Sequence, residues 1–276
     1  MMNVVTMSED ANSSGSSAKF VAGCRTALAY AVILVLLTFS VQALSLPIAN
    51  ANPLTEPVDT ALVVSVDVSS SVDDRRYDLQ LEGIATALED PGVQDAILNG
   101  PRGAILLSVV TWSDRPSIDV PWTRIASRED ARRYAALVRK VPRNKGNFTC
   151  LARMLKFVND KVLAQVPVQA FRTVVDVSGD GKDNCNPARP VSAIRDEINS
   201  YGTTVNGLPI LEGREAETLE GWYTENVQGG LGSFVLPALG FKDFGRAIRQ
   251  KFVIEISRFW PATRAAEIKT ETTKNR

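Results

Sequence analysis

The sequence predicts an α/β fold, a doubly wound and mainly parallel central sheet flanked by helices. Near-continuous apolar runs at Thr60–Asp67, Gly103–Trp112 and Phe171–Val177 have the composition of strands buried on both faces. Between and after them, apolar residues recur at helical spacing. Two of the runs end abruptly in polar clusters, Asp67–Ser71 and Ser178–Gly181. Strands of a parallel sheet end this way where their carboxyl ends open into a ligand crevice.

In order, Asn52–Asp59 leads into the first strand with two prolines. Tyr77, Leu81, Ile84 and Leu88 mark the inner face of a helix that stops before Pro91-Gly92, with acids Asp73 and Asp74 in its first turn. A short helical or irregular piece then ends near Asn99-Gly100-Pro101. After the Gly103–Trp112 strand, Ser113-Asp114-Arg115-Pro116 is a turn and Ser117–Val120 a short strand. Ser127-Arg-Glu-Asp130 caps a helix that turns Ala131, Tyr134, Leu137 and Val138 inward. Another helix starts at Thr149, with Leu151, Leu155, Val158 and Val162 facing the core. Beyond the Phe171 strand come a helix at Pro190–Tyr201 closed by Gly202, a strand at Thr203–Ile210, a short helix at Ala216–Glu225 and a last strand at Ser233–Leu236. An amphipathic helix at Phe241–Ser257, built on Phe244, Ile248, Phe252 and Ile256, ends the domain.

A chain of 276 residues with 45% hydrophobic and 22% charged residues has the composition of an ordinary globular core. The net charge is zero and no basic block stands out, so a nucleic-acid surface is not indicated. There is no histidine, which excludes Ser-His-Asp and Cys-His catalysis and any histidine-ligated zinc. Residues 1–51 read as an export signal: Lys19 and Arg25 precede an apolar run from Ala27 to about Val41, and Ala49-x-Ala51 has the small-x-small form of a cleavage site. The competing reading is an uncleaved anchor, the one route by which the chain would touch a membrane. Residues 52–258 form the domain, and the polar stretch 259–276 reads as a disordered tail. Export implies a periplasmic or extracellular location. Of three cysteines Cys24 falls in the leader, leaving Cys150 and Cys185 as a pair that is either a disulfide or two buried thiols.

Asp67, Ser69 and Ser71 stand at alternate positions at the end of the first strand. On extended backbone their side chains point the same way, converging hard oxygens of the kind that suit Mg²⁺. The plainer reading of the same letters is a helix N-cap at Ser70 or Ser71, with Asp67 solvated. Two further segments carry suitable oxygens at the same sheet edge, Thr149 at a helix start and Asp180 at a strand end.

These five residues resemble the metal-ion-dependent adhesion site of the von Willebrand factor A domain, a Rossmann-like fold. Val109-Val110-Thr111-Trp112-Ser113-Asp114 is also similar to that family's second-strand ending. The resemblance covers about residues 60–257. It implies one Mg²⁺ or Mn²⁺ ion with Ser69, Ser71 and Thr149 as direct hydroxyl ligands, and Asp67 and Asp180 acting largely through water. More narrowly, Leu219–Val235 and Gly240–Arg249 resemble a bacterial family of exported proteins that carry this domain and have no assigned function.

Two features depart from the pattern. Gly179 stands where the family often has threonine before the Asp-Gly, so a supporting hydroxyl is missing and Ser178 is the candidate to supply it. The loop Lys145–Cys150 keeps its glycine but is otherwise individual. Asn147-Phe-Thr149 is also a glycosylation sequon, and a threonine held on metal argues against its use. If the Thr149 and Asp180 loops face one ion, Cys150 and Cys185 come together, and their disulfide would contribute roughly 4 kcal/mol in the chain-entropy model.

The resemblance implies a binding module, not an enzyme, that captures the carboxylate of a protein partner. A metal-dependent phosphohydrolase is the first alternative, but phosphatases with an acid after the first strand use Asp-x-Asp, and here Ser69 fills the second position. A metal-free structural scaffold is the other.

Overall fold

The computed structural model describes residues 55–257. The expected leader and tail lie outside the described residues.

Strand β1 (Val58–Asp67) is buried at every position. Helix α1 (Asp74–Glu89) begins where the Asp73 carboxylate accepts from the Arg76 amide, and helix α2 (Pro91–Leu98) follows with Asp90 capping the Gly92 and Val93 amides. Pro91 thus ends one helix and opens the next, since the first position of a helix has no use for the amide hydrogen that proline lacks. The succeeding elements are β2 (Ile105–Trp112), β3 (Ser117–Ile125), α3 (Arg128–Val138), α4 (Leu151–Phe157), β4 (Ala170–Gly179), α5 (Val191–Ser200), β5 (Thr204–Pro209), α6 (Ala216–Asn226) and α7 (Phe244–Ser257). Ser127 caps α3 by accepting from the Asp130 amide, as its sequence signal implies.

The five strands lie in the order β3-β2-β1-β4-β5, with β1 parallel to β2 and β4, β4 parallel to β5, and β3 antiparallel at the edge. Alternation along β1 divides the core. Leu62, Val64 and Val66 face a layer that includes Ile84, Leu88, Tyr134, Phe244, Ile248 and Phe252, while Val63 faces a layer that includes Leu151, Leu155, Ile194 and Tyr223. Each such side chain, fully buried, is worth roughly 1.5–3 kcal/mol, so the sheet is held from both sides. The chain builds β2 and β3 to one side of β1 and then returns to build β4 and β5 on the other. The carboxyl ends of β1 and β4 therefore flank the topological switch point, where open α/β sheets bind ligands.

Three local expectations are corrected. The segment Ser233–Leu236 is not a ladder strand: it touches β5 through an isolated bridge between Gly207 and Val235. The Phe234 amide is taken by the Asn206 side chain at 3.0 Å, and Gly230 and Gly232 adopt positive φ just before it, so regular pairing cannot propagate. Strand β3 runs five residues past Val120 and through Pro121, which an edge strand with register irregularities tolerates. The helix expected from Thr149 to Val162 is α only over Leu151–Phe157 and then widens into a π turn at Val158–Val162. Val158 and Val162 are buried as expected, and the Val162 carbonyl accepts from the Trp122 indole at 3.0 Å. Among the described residues no helix is long and apolar enough to cross a membrane.

Candidate metal centre

The site grows from the last residue of β1. Asp67 is fully buried, its Oδ1 accepts from the Ser69 amide at 2.8 Å, and its backbone carbonyl accepts from Gln80 Nε2 of α1 at 3.1 Å. The chain does not stay extended through Ser69, as the alternate spacing suggested. It turns, with the Val72 amide bonded to the Ser69 carbonyl at 3.0 Å. The turn itself brings Ser69 Oγ and Ser71 Oγ to 3.2 Å, and Ser71 Oγ donates to Asp180 Oδ1 at 2.6 Å. Neither serine caps α1, because Asp73 holds that position.

Thr149 reaches the same place from the opposite loop. A methyl group at Gly181 would sit 3.5 Å from Thr149 Oγ1, which sets that hydroxyl beside the Asp180 loop. Its backbone is held by a reciprocal pair, the Thr149 amide to Asn184 Oδ1 at 2.8 Å and the Asn184 amide to the Thr149 carbonyl at 3.0 Å. Cys150 and Cys185 form a disulfide alongside, with Cα atoms 5.1 Å apart. Cys150, not Thr149, occupies the N-cap of α4, and no side chain caps there. The Thr149 hydroxyl is thus not spent on the helix. The turn after β2 supports this loop too, because the Asp114 carboxylate accepts from the Phe148 amide at 2.7 Å and from the Asn147 amide at 3.2 Å.

All five expected residues are therefore drawn to one end of the sheet. Asp67, Ser69, Thr149 and Asp180 are buried, whereas Ser71 is exposed, so the oxygens run from the interior to solvent. Ser71, Thr149 and Asp180 line a cleft of about 560 Å³ together with Arg76, Lys182, Asn184 and Glu215. Arg76 pairs with Glu212 at 2.7 Å and donates to the Ser71 carbonyl at 2.5 Å, fixing the serine turn. A groove of about 470 Å³ between α1 and α7 shares no residue with this cleft.

Electrostatics favour a cation here. Burial, and then the neighbouring charge of Asp180, push Asp67 up to about 7, against the hydrogen bonds from Ser69 that lower it. Burial also raises Asp180, partly offset by its bond from Ser71 and by Arg76. Asp67 Oδ2 is buried with no hydrogen-bond partner. Two carboxylates, one of them with an orphaned oxygen, and three hydroxyls form a hard-oxygen donor set that fits a small divalent ion. No three His, Cys, Asp or Glu side chains gather as a metal-binding group among the described residues, and hydroxyls complete the set instead.

The reading from sequence missed Arg76, Gln80 and Asn184. Arg76 and Gln80 act from α1 and Asn184 from the loop after β4, all through backbone groups of the site residues, and no local spacing signals that. Ser178 does not supply the missing hydroxyl: its Oγ donates to the Ser65 carbonyl at 2.8 Å inside the sheet.

The fold is that of the von Willebrand factor A domain. Proximal thread matrix protein 1 of the mussel byssus is similar in structure, with a TM-score of 0.56 and 15% identity, covering 74% of this chain and 49% of that one. The same protein with a zinc-occupied MIDAS motif gives a TM-score of 0.53, 19% identity and the same coverage. The chain thus spans about half the length of that protein. The vWF domain of the type V pili tip protein Mfa5 from Porphyromonas gingivalis is similar at a TM-score of 0.50 and 10% identity, covering 74% of this chain and 98% of that one. No curated protein is similar to the chain in sequence. Residues 57–260 match the model of the family described as "Protein of unknown function (DUF1194)", and the chain belongs to that family.

Proposed function

We propose that the chain is an exported, divalent-cation-dependent binding module that captures an acidic group of a protein partner. The observation that carries this reading is the continuous run of oxygens Ser69 Oγ, Ser71 Oγ and Asp180 Oδ1, at 3.2 and 2.6 Å, beside the orphaned Oδ2 of Asp67. Ser69, Ser71 and Thr149 would hold Mg²⁺ or Mn²⁺ through their hydroxyls, with Asp67 and Asp180 orienting them. A bound ion with mostly neutral direct ligands supplies an electrophilic position for a carboxylate. The zinc-occupied MIDAS motif of a protein of the same fold supports a divalent ion at such a site.

Export rests on the leader-like residues 1–51 and on the Cys150–Cys185 disulfide, a bond that persists in oxidising compartments. A periplasmic location is the reading for a module whose leader is cut, and attachment to the membrane the reading for one whose leader is kept. Catalysis is not part of the proposal.

Calorimetric titration of the purified protein with Mg²⁺ and Mn²⁺ tests the reading. Saturable binding is expected, abolished by Asp67→Ala and weakened at least tenfold by Thr149→Ala. Absence of binding, or binding indifferent to both substitutions, would overturn it. Capture of an envelope protein that is released by chelator, and that Asp67→Ala fails to retain, would extend it to the partner.

A further inference from the structure

The hydroxyl missing at Gly179 has a structural replacement that no motif announces. A methyl group on Gly179 would lie 2.8 Å from Tyr223 OH, 3.0 Å from Asp67 Oδ2 and 3.3 Å from Trp112 Cζ2. Cζ2 is bonded to the ring carbon that carries Nε1. Three side chains therefore close over the bare glycine: the phenol oxygen from α6, a ring carbon of the indole from the end of β2 and a carboxylate oxygen from the end of β1. All three residues are fully buried, and Tyr223 OH, Trp112 Nε1 and Asp67 Oδ2 each lack a hydrogen-bond partner. A buried donor or acceptor left unsatisfied is destabilising, so three on side chains around one glycine call for a common partner. Their polarities are complementary, two donors and one acceptor.

We propose that Tyr223 is a positioning residue for the cation site, its phenol and the Trp112 indole orienting Asp67 through one shared buried water. The water accepts from Tyr223 OH and from Trp112 Nε1–H and donates to Asp67 Oδ2. Asp67 is then fixed at both oxygens, Oδ1 by the Ser69 amide and Oδ2 by this bridge. Glycine at 179 is what lets the phenol and the carboxylate approach one another, since a methyl group there would lie within about 3.0 Å of both. Ser178 is committed to the sheet and cannot play the part. The proposal rests on the cation reading above and assigns the missing hydroxyl to a helix 44 positions further along the chain.

The test is titration of the full chain with Mg²⁺ and with Mn²⁺, alone and as Tyr223→Phe, alongside thermal unfolding of both proteins in chelator. Outer-shell partners of metal ligands typically carry 10–100-fold in affinity. Tyr223→Phe is expected to lose about that factor for both ions while unfolding in chelator near the wild-type temperature. Equal affinity in wild type and Tyr223→Phe would overturn the proposal and leave the cation site standing. No binding by wild type would overturn the cation reading itself. Should Tyr223→Phe not fold, the near-ultraviolet difference spectrum of wild type on saturation with Mg²⁺ decides. A tyrosine and tryptophan perturbation supports the bridge, and an unchanged spectrum overturns it.

Discussion

Asp67 concentrates the chemistry of the site in one carboxylate. Its β-strand neighbours bury it completely, Asp180 repels its charge, and only Oδ1 has a partner. Its pKa is raised in the fold, from an ordinary 3.8 to about 7, so folding favours the protonated form. Without a cation the contribution to stability is complete below the unfolded value and is lost as pH rises through about 7. In chelator, the free energy of unfolding should therefore fall between pH 4 and pH 7, by at most about 4 kcal/mol, and Asp67→Asn should flatten that slope. A slope unchanged by Asp67→Asn would show that other groups govern it. Cation binding must displace the same proton, so affinity should rise over the same interval.

At the scale of elements, α7 is fastened to the sheet by buried charge. Lys251 lies 3.3 Å from Asp176 of β4 and 3.1 Å from Glu255 one turn along α7, and it sits 4.3 Å from the centre of the Phe234 ring. Asn206 of β5 donates to Glu255 at 2.7 Å. Burial, then the charge of Glu255, raise Asp176 against the pull of Lys251. Two acids share one cation in a place without solvent. Lys251→Met removes that cation and leaves both acids buried without it, which typically costs about 3–5 kcal/mol. The loss should be larger at pH 8 than at pH 5, because a carboxyl whose pKa is raised loses stability as pH rises. Urea denaturation at the two pH values checks this, and equal losses would show that Lys251 acts through packing alone. None of this was visible in the helical pattern of α7, where Phe244, Ile248, Phe252 and Ile256 mark the inner face. Lys251 and Glu255 are fully buried only because the sheet is packed against them.

Among the described residues, the site exists because the strand order reverses at β1. Residues at 67–71, 149 and 180 meet only when β4 is laid parallel to β1, with Val66 opposite Ser178. The Cys150–Cys185 disulfide joins two of these three segments across 35 residues. Replacing both cysteines by alanine should cost roughly 4 kcal/mol of stability and weaken cation binding, since Thr149 and Asn184 would then be joined by hydrogen bonds alone. Denaturation and titration of the double variant measure the two effects separately. Stability lost with affinity intact would make the bond a staple of the fold and not of the site.

The amino-acid sequence alone determined the strand and helix order, the polar ends of β1 and β4, and the identity of the five oxygen-bearing residues. Apolar runs and helical periodicity are local properties, and so is the spacing of Asp67, Ser69 and Ser71. The tertiary structure decided the rest. It replaced the supposed extended backbone after Asp67 with a turn, kept Ser233–Leu236 from pairing as a strand, and gave Ser178 to the sheet while bringing Tyr223 and Trp112 over Gly179. Those outcomes depend on which groups from distant elements compete for the same hydrogen bond or the same small volume. Such competition is settled only when the layers pack.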